Sequence, residues 1–431
     1  MIETKGAPQL PSTFPNHLNQ PGSDIIRLYR LFHVKQIAKA ESSCAPRRTH
    51  RATILPLVLG AFLLLGTACA PVEAAAGWGA PIATGDLILT SNSQGKVTAL
   101  RTANDALPAV AWTYPPPSES EKPWYQRLFS GRSDEAALQT IYAAPIVGRA
   151  GQQQRIYLAG YSGVVLAIDP TTGRRIDGWP SVNAGSRIIA TPAFADGRLY
   201  IATQEGTVRS IDAATGALSQ PFLSLGTRIW SAPVIDRGTL YIAAFDHHVR
   251  ALDPLTGAVR WQQDIGGAVA GDLAFTGDLM LVPTLQSRLV ALDTTARGAE
   301  RWAFTGDNWF WARPLVSGDT VFAVSSVGTV YALDVATGRE RWNTPVKAGE
   351  VHAAPVIVGG TLVVATRNGV LAGLDPTTGA ERWRKTVEDA RFLANPLVVE
   401  SAILYVAENG DVHRVRPQDK GTTERMFSPD N

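Results

Sequence analysis

The sequence predicts an all-β fold, an eight-bladed β-propeller of four-stranded antiparallel blades, and three observations carry that prediction. A phrase recurs at near-constant spacing: ALDPLTGAVRW from Ala251, ALDTTARGAERW from Ala291, ALDVATGRERW from Ala332 and GLDPTTGAERW from Gly373. A second landmark precedes each phrase, a small residue and a proline before an apolar run, as at Pro145, Pro192, Pro233, Pro314, Pro355 and Pro396. Between the landmarks the chain alternates short apolar runs with turn signals and shows no sustained helical period. A unit of about 40 residues containing four short strands reads as a propeller blade.

The aspartates Asp253, Asp293, Asp334 and Asp375 and the tryptophans Trp261, Trp302, Trp342 and Trp383 set the period. AIDPTTGRR from Ala167 and SIDAATGAL from Ser210 extend it upstream through Asp169 and Asp212. Pro81 opens the series, and one unit has Gly271-Asp272-Leu273 where the proline motif belongs, so eight units are expected.

One copy shows why each element forms. APVIVGGTLVVATRNGVLAGLDPTTGAERWRKTV, from Ala354, breaks at Gly359-Gly360, at Asn368-Gly369 and at Pro376 to Gly379. The runs between are β-branched, aliphatic or aromatic, as strands prefer. Asn-Gly marks a tight hairpin because both residues tolerate positive φ. In Asp-x-x-Thr-Gly the aspartate can accept from amides just ahead, and glycine supplies the positive φ. The tryptophan that follows belongs on the outer strand, between neighbouring blades. This motif set is therefore structural. The eighth unit lacks the phrase, and a strand over Thr422 to Phe427 is expected to complete it.

The Asp-x-x-Thr-Gly-x-x-x-Trp phrase resembles the motif of the pyrroloquinoline-quinone (PQQ)-type repeat propellers. That family includes quinoprotein alcohol dehydrogenases and outer-membrane assembly lipoproteins of the BamB type, the nearer match. The resemblance runs from Ala80 to about Pro417 and implies eight blades. It mixes enzymes with binding scaffolds, so it implies no single activity. The quinoprotein members hold calcium on Glu, Asn and Asp side chains, use a further Asp as base, and sandwich the quinone between Trp and a vicinal disulfide. This chain has only Cys44 and Cys69, so that disulfide cannot form. No catalytic residue, metal site or cofactor is expected, with PQQ binding as the runner-up. Trp230 and Trp309-Phe310-Trp311 would be the residues available to stack on a planar ligand.

Four parts follow along the chain. Residues 1–46 read as an extension upstream of the true start, since no methionine falls between Met1 and Met280. Residues 47–69 resemble a lipoprotein signal: Arg47, Arg48 and Arg51, an apolar run from Ala52 to Leu65, then small residues before Cys69, the expected lipidation site. Residues 70–79 are a linker and 80–431 the propeller. All readings of the signal export the propeller to the cell envelope.

Charge excludes a nucleic-acid partner. Residues 1–51 hold eight Lys/Arg and three Asp/Glu, leaving 32 basic against 35 acidic groups over 52–431. A nucleic-acid binder needs a basic stripe. The expected role is a monomeric scaffold for envelope proteins, such as the barrel-assembly machinery, with an exported sensor or ligand-binding module as a further alternative. The expected partner surface is one rim of the ring. It collects Trp124, Tyr125, Arg127 and Phe129 from an insertion after Trp112. To these it adds His247, His248, Trp309 and Trp311 from hairpins and blade links. Aromatic residues and arginine dominate interface energies.

Overall fold

The computed structural model describes residues 79–92, 94–101, 108–116, 138–345 and 349–429. Contacts divide the chain into Met1–Glu73 and Ala74–Asn431, and every described residue belongs to the second unit. Cys69, the signal segment and the insertion residues Trp124, Tyr125, Arg127 and Phe129 lie outside the described residues.

Eight four-stranded antiparallel sheets follow one another along the chain, each with its strands in sequence order. They span 82–114, 146–183, 193–224, 234–264, 274–305, 315–345, 356–386 and 397–427, and form blades one to eight in that order. Blade seven is representative: Val356–Val358, Thr361–Ala365, Val370–Leu374 and Glu381–Thr386. Its second and third strands are almost wholly buried, because blades stack on both of their faces. The outer strand alternates only weakly and is mostly exposed.

The repeated phrase acts through several local bonds. Asp253 Oδ1 accepts from the amides of Leu255 and Thr256 and from the Thr256 hydroxyl, at 3.0, 2.9 and 3.0 Å. Its other oxygen accepts from Arg260 of the same outer strand at 2.8 Å. These donors hold the Asp253 carboxyl well below its ordinary range, Arg260 contributing most. Asp293, Asp334 and Asp375 repeat the pattern with Arg301, Arg341 and Arg382. Asp169 and Asp212 cap their turns without such an arginine.

The tryptophans lie opposite small residues. Trp261, Trp302 and Trp342 face Ala251, Ala291 and Ala332, and Trp383 faces Gly373, with a bulge beside each pair. That explains the small residue opening each phrase: it makes room for an indole. A glycine of the next blade, the motif glycine in blades five to seven, then receives the ring. A Cβ at Gly298 would meet Trp261, at Gly338 Trp302, at Gly379 Trp342 and at Gly421 Trp383. Two recurring positions in successive copies are thus one joint between blades.

Blades two and three have no tryptophan at the motif spacing. Their outer strands shrink to Val182–Asn183 and Leu223–Ser224. Trp179 and Phe222 take over the joints, against Gly216 and Gly257.

The last blade closes with Thr422–Phe427, paired to Val412–Arg416. A 3-10 turn at Pro417–Asp419 and Lys420 in the left-handed region lead into it. Blades eight and one meet through Ile88, Leu100, Leu404, Val406, Val412 and Met426. No strand crosses that seam among the described residues, so apolar packing closes the ring there.

Candidate functional site at the mouth of the central shaft

A cavity opens where the segments leading into all eight blades converge, which places it on the ring axis. It encloses about 610 Å³ of empty space, part of it open to solvent. The convergence follows from topology. In five blades the hairpin between the second and third strands is bonded to the link that enters the same blade. The amides of Gln204, Phe245, Ser326, Arg367 and Glu408 donate to the Arg187, Arg228, Trp309, Glu350 and Arg391 carbonyls. Hairpins and links therefore share one face, as expected.

The inner edge of that face is a ring of residues that directly precede the proline position. Ala144 N–H donates to Thr191 Oγ1 at 2.9 Å, Ala232 N–H to Asp272 Oδ1 at 3.0 Å and Ala354 N–H to Asn395 Oδ1 at 2.8 Å. Each bond ties one blade to the next. Three different side chains thus perform one structural task, and only Asp272 can carry a charge while doing it.

Asp272 is half-buried at the cavity wall, and loss of hydration pushes its carboxyl above the ordinary value. The Ala232 amide and the nearby positive charge of Arg313 act the other way. Arg313 occupies the same ring position one blade on and lines the same cavity. Its side chain is exposed, and among the described residues no hydrogen bond or ion pair engages it.

Aromatic rings form the wall beside these charges. Trp230 packs edge-on against Phe245 and Trp311, with centroids 4.9 and 6.1 Å away. Trp311 also meets His352, at 5.4 Å. Glu350 stands between His352 and Arg367, 3.6 and 2.9 Å from them, and this pulls its carboxyl down to about 2. Arg228 lies over Trp230 at 5.9 Å.

The structure places the sequence-selected rim residues in two groups. Trp311 lines the shaft mouth, together with Trp230, expected only as a stacking residue. His247 is exposed at its hairpin tip, with φ +68° where most other blades carry glycine and blade five carries Ser287. Its neighbour His248 is turned toward its own loop, Nδ1 lying 2.7 Å from the Asp246 carbonyl oxygen. Neither histidine reaches the shaft lining. Trp309 holds the Ser326 amide through its carbonyl at the hairpin of blade six.

Sequence reasoning missed Asp272, Arg313 and His352. A signal existed for the first two. Leu273 stands at the proline position, with Asp272 directly before it. The residue directly before the proline varies between copies (Ala144, Thr191, Ala232, Arg313, Ala354, Asn395), and Asp272 and Arg313 are its charged members.

A quinone and metal centre asks for several carboxylates together. Among the described residues no group of three or more His, Cys, Asp or Glu side chains gathers. Asp272 contributes a single carboxylate at the cavity, and the donor set does not fit such a centre.

The family described as outer membrane protein assembly factor BamB matches residues 131–242 and 245–410 of this chain, well over half of it. No curated protein matches. Solved structures are similar in fold. BamB from Moraxella catarrhalis is 19% identical, covers 78% of this chain and 92% of its own, and superposes with a TM-score of 0.60. The computationally designed Ika8 protein is 13% identical, with 79% and 96% covered and a TM-score of 0.61. A europium-containing methanol dehydrogenase is 13% identical, with 80% and 83% covered and a TM-score of 0.56.

Proposed function

Because the chain belongs to the family of the outer membrane protein assembly factor BamB, we propose that it is a non-catalytic propeller scaffold for outer-membrane protein assembly. In this reading it is exported, tethered to the envelope by lipid on Cys69, and binds protein partners of the barrel-assembly kind. The family match, running from residue 131 into blade eight at residue 410, is the observation that carries the reading. The face of hairpins and blade links is the proposed partner surface. It holds His247, His248, Trp309 and Trp311, and the insertion bearing Trp124, Tyr125, Arg127 and Phe129 is assigned to the same surface.

The role is tested by cross-linking in intact cells, purification from membranes and mass spectrometry. Recovery of barrel-assembly components is expected. Their absence, with other envelope proteins captured reproducibly, would reject the assembly role. A dehydrogenase would instead show a new absorbance band after addition of PQQ and calcium to the purified protein. Trp124→Ala with Phe129→Ala tests the surface. Partner capture should fall while the unfolding midpoint holds, each anchor contributing on the order of 2 kcal/mol. A lowered midpoint with capture intact would assign those residues to packing.

A further inference from the structure

The charges at the shaft mouth are more than the ring requires. Thr191 and Asn395 accept the neighbouring amide without a formal charge, so an uncharged acceptor meets the structural need at Asp272. A carboxylate there bears the cost of desolvation against the single amide of Ala232. Arg313 stands one ring position away, close enough to act on Asp272 electrostatically, yet no ion pair joins them. Opposite charges that line one cavity without an ion pair between them are available to a molecule carrying both charges. Trp230 and Trp311 wall the same space.

We propose that the mouth of the shaft binds a small zwitterion of the free amino-acid type, its ammonium on Asp272 and its carboxylate on Arg313. A molecule with one charge would leave the other protein charge uncompensated in a partly dry site. A zwitterion satisfies both. The guanidinium fork suits a carboxylate. The indoles of Trp230 and Trp311 in the same lining suit an ammonium or an apolar side chain. The ring bonds from Ala144, Ala232 and Ala354 fix the blades around the cavity, so the site is largely formed before any ligand arrives. His352, held by Glu350, packs against Trp311 in the same lining. This binding site shares Trp311 with the proposed partner surface but does not depend on the assembly role.

Titration calorimetry on the purified full chain tests it, with glycine, leucine and phenylalanine as zwitterions. Phenethylamine and 3-phenylpropanoate serve as single-charge analogues of phenylalanine. At least one zwitterion should bind, and phenylalanine should bind more tightly than either analogue. Asp272→Asn keeps an acceptor for the Ala232 amide, as Asn395 does for Ala354. It should weaken zwitterion binding about tenfold or more with an unchanged unfolding midpoint. Arg313→Gln should do the same. Three results would overturn the site: no zwitterion binding at millimolar concentration, unchanged affinity in both variants, or a single-charge analogue binding as tightly as phenylalanine. The assay contains no protein partner, so failure of the assembly role would leave it standing.

Discussion

At the residue scale, one side chain can serve several bonds, and its charge state then reports on all of them. Glu350 links His352, which braces Trp311, to Arg367 on the neighbouring hairpin. Its carboxyl is pulled down to about 2, His352 contributing most. The folded value lies below the ordinary 4.5, so the ionised form stabilises the fold above that pH. The contribution fades as pH falls from there toward 2. Glu350→Gln should lower the unfolding midpoint at pH 7 by about a degree or two, as half-exposed ion pairs do. The gap between wild type and variant should narrow as the pH is lowered below 4.5. A gap that stays constant down to pH 3 would show that the ion pairs do not contribute. Asp272 marks the opposite case, a carboxylate whose burial raises its value and whose surplus charge points to a ligand.

At the scale of the element, the blade repeat is a joint as much as a sheet. The motif glycine has two duties, and comparison with another glycine separates them. Gly360 has φ +70°, and a Cβ added there would find nothing within 4 Å, so alanine meets only backbone strain. That costs on the order of 1 kcal/mol. Gly379 has φ +75°, and a Cβ would stand 2.5 Å from Thr344 Oγ1 and 2.6 Å from the Trp342 ring. Overpacking then adds about 1–3 kcal/mol. Gly379→Ala should therefore lower the midpoint clearly more than Gly360→Ala in the same scan. Equal losses would mean that the indole joint does not hold the blades. Much of this was legible beforehand, since Asp253, Gly257 and Trp261 stand at offsets that recur along the chain. The substitutes in blades two and three were not. Trp179 and Phe222 fall two residues beyond the motif spacing, and only the shortened outer strands bring them to the joint.

At the scale of the whole molecule, the ring must close between its first and last blades. The final strand, Thr422–Phe427, pairs with Val412–Arg416 and brings Met426 into the seam with Ile88 and Leu100. Truncation after Pro417 removes that strand and should lower the midpoint by several degrees, the loss of a few kcal/mol of packing. An unchanged midpoint would mean that other contacts close the ring. Anchoring is a separate property of the proposed role. Cys69→Ala should abolish acyl labelling and release the protein from membranes, and persistent labelling would place the lipid elsewhere.

The amino-acid order was enough to specify the eight blades, their strand order, the capped turns and the tryptophan ladder. Those features are local: hairpin glycines, turn aspartates and strand alternation act over a few residues and repeat along the chain. The shaft mouth arises only on folding. Asp272 and Arg313 lie in different repeats and become ring neighbours because their blades pack side by side. Trp230 and His352 reach the same cavity from other blades. A repeat pattern shows that positions are equivalent, but a circle makes equivalent positions converge. The two charges at that point come together only in the closed ring, where eight blade entrances meet on one axis.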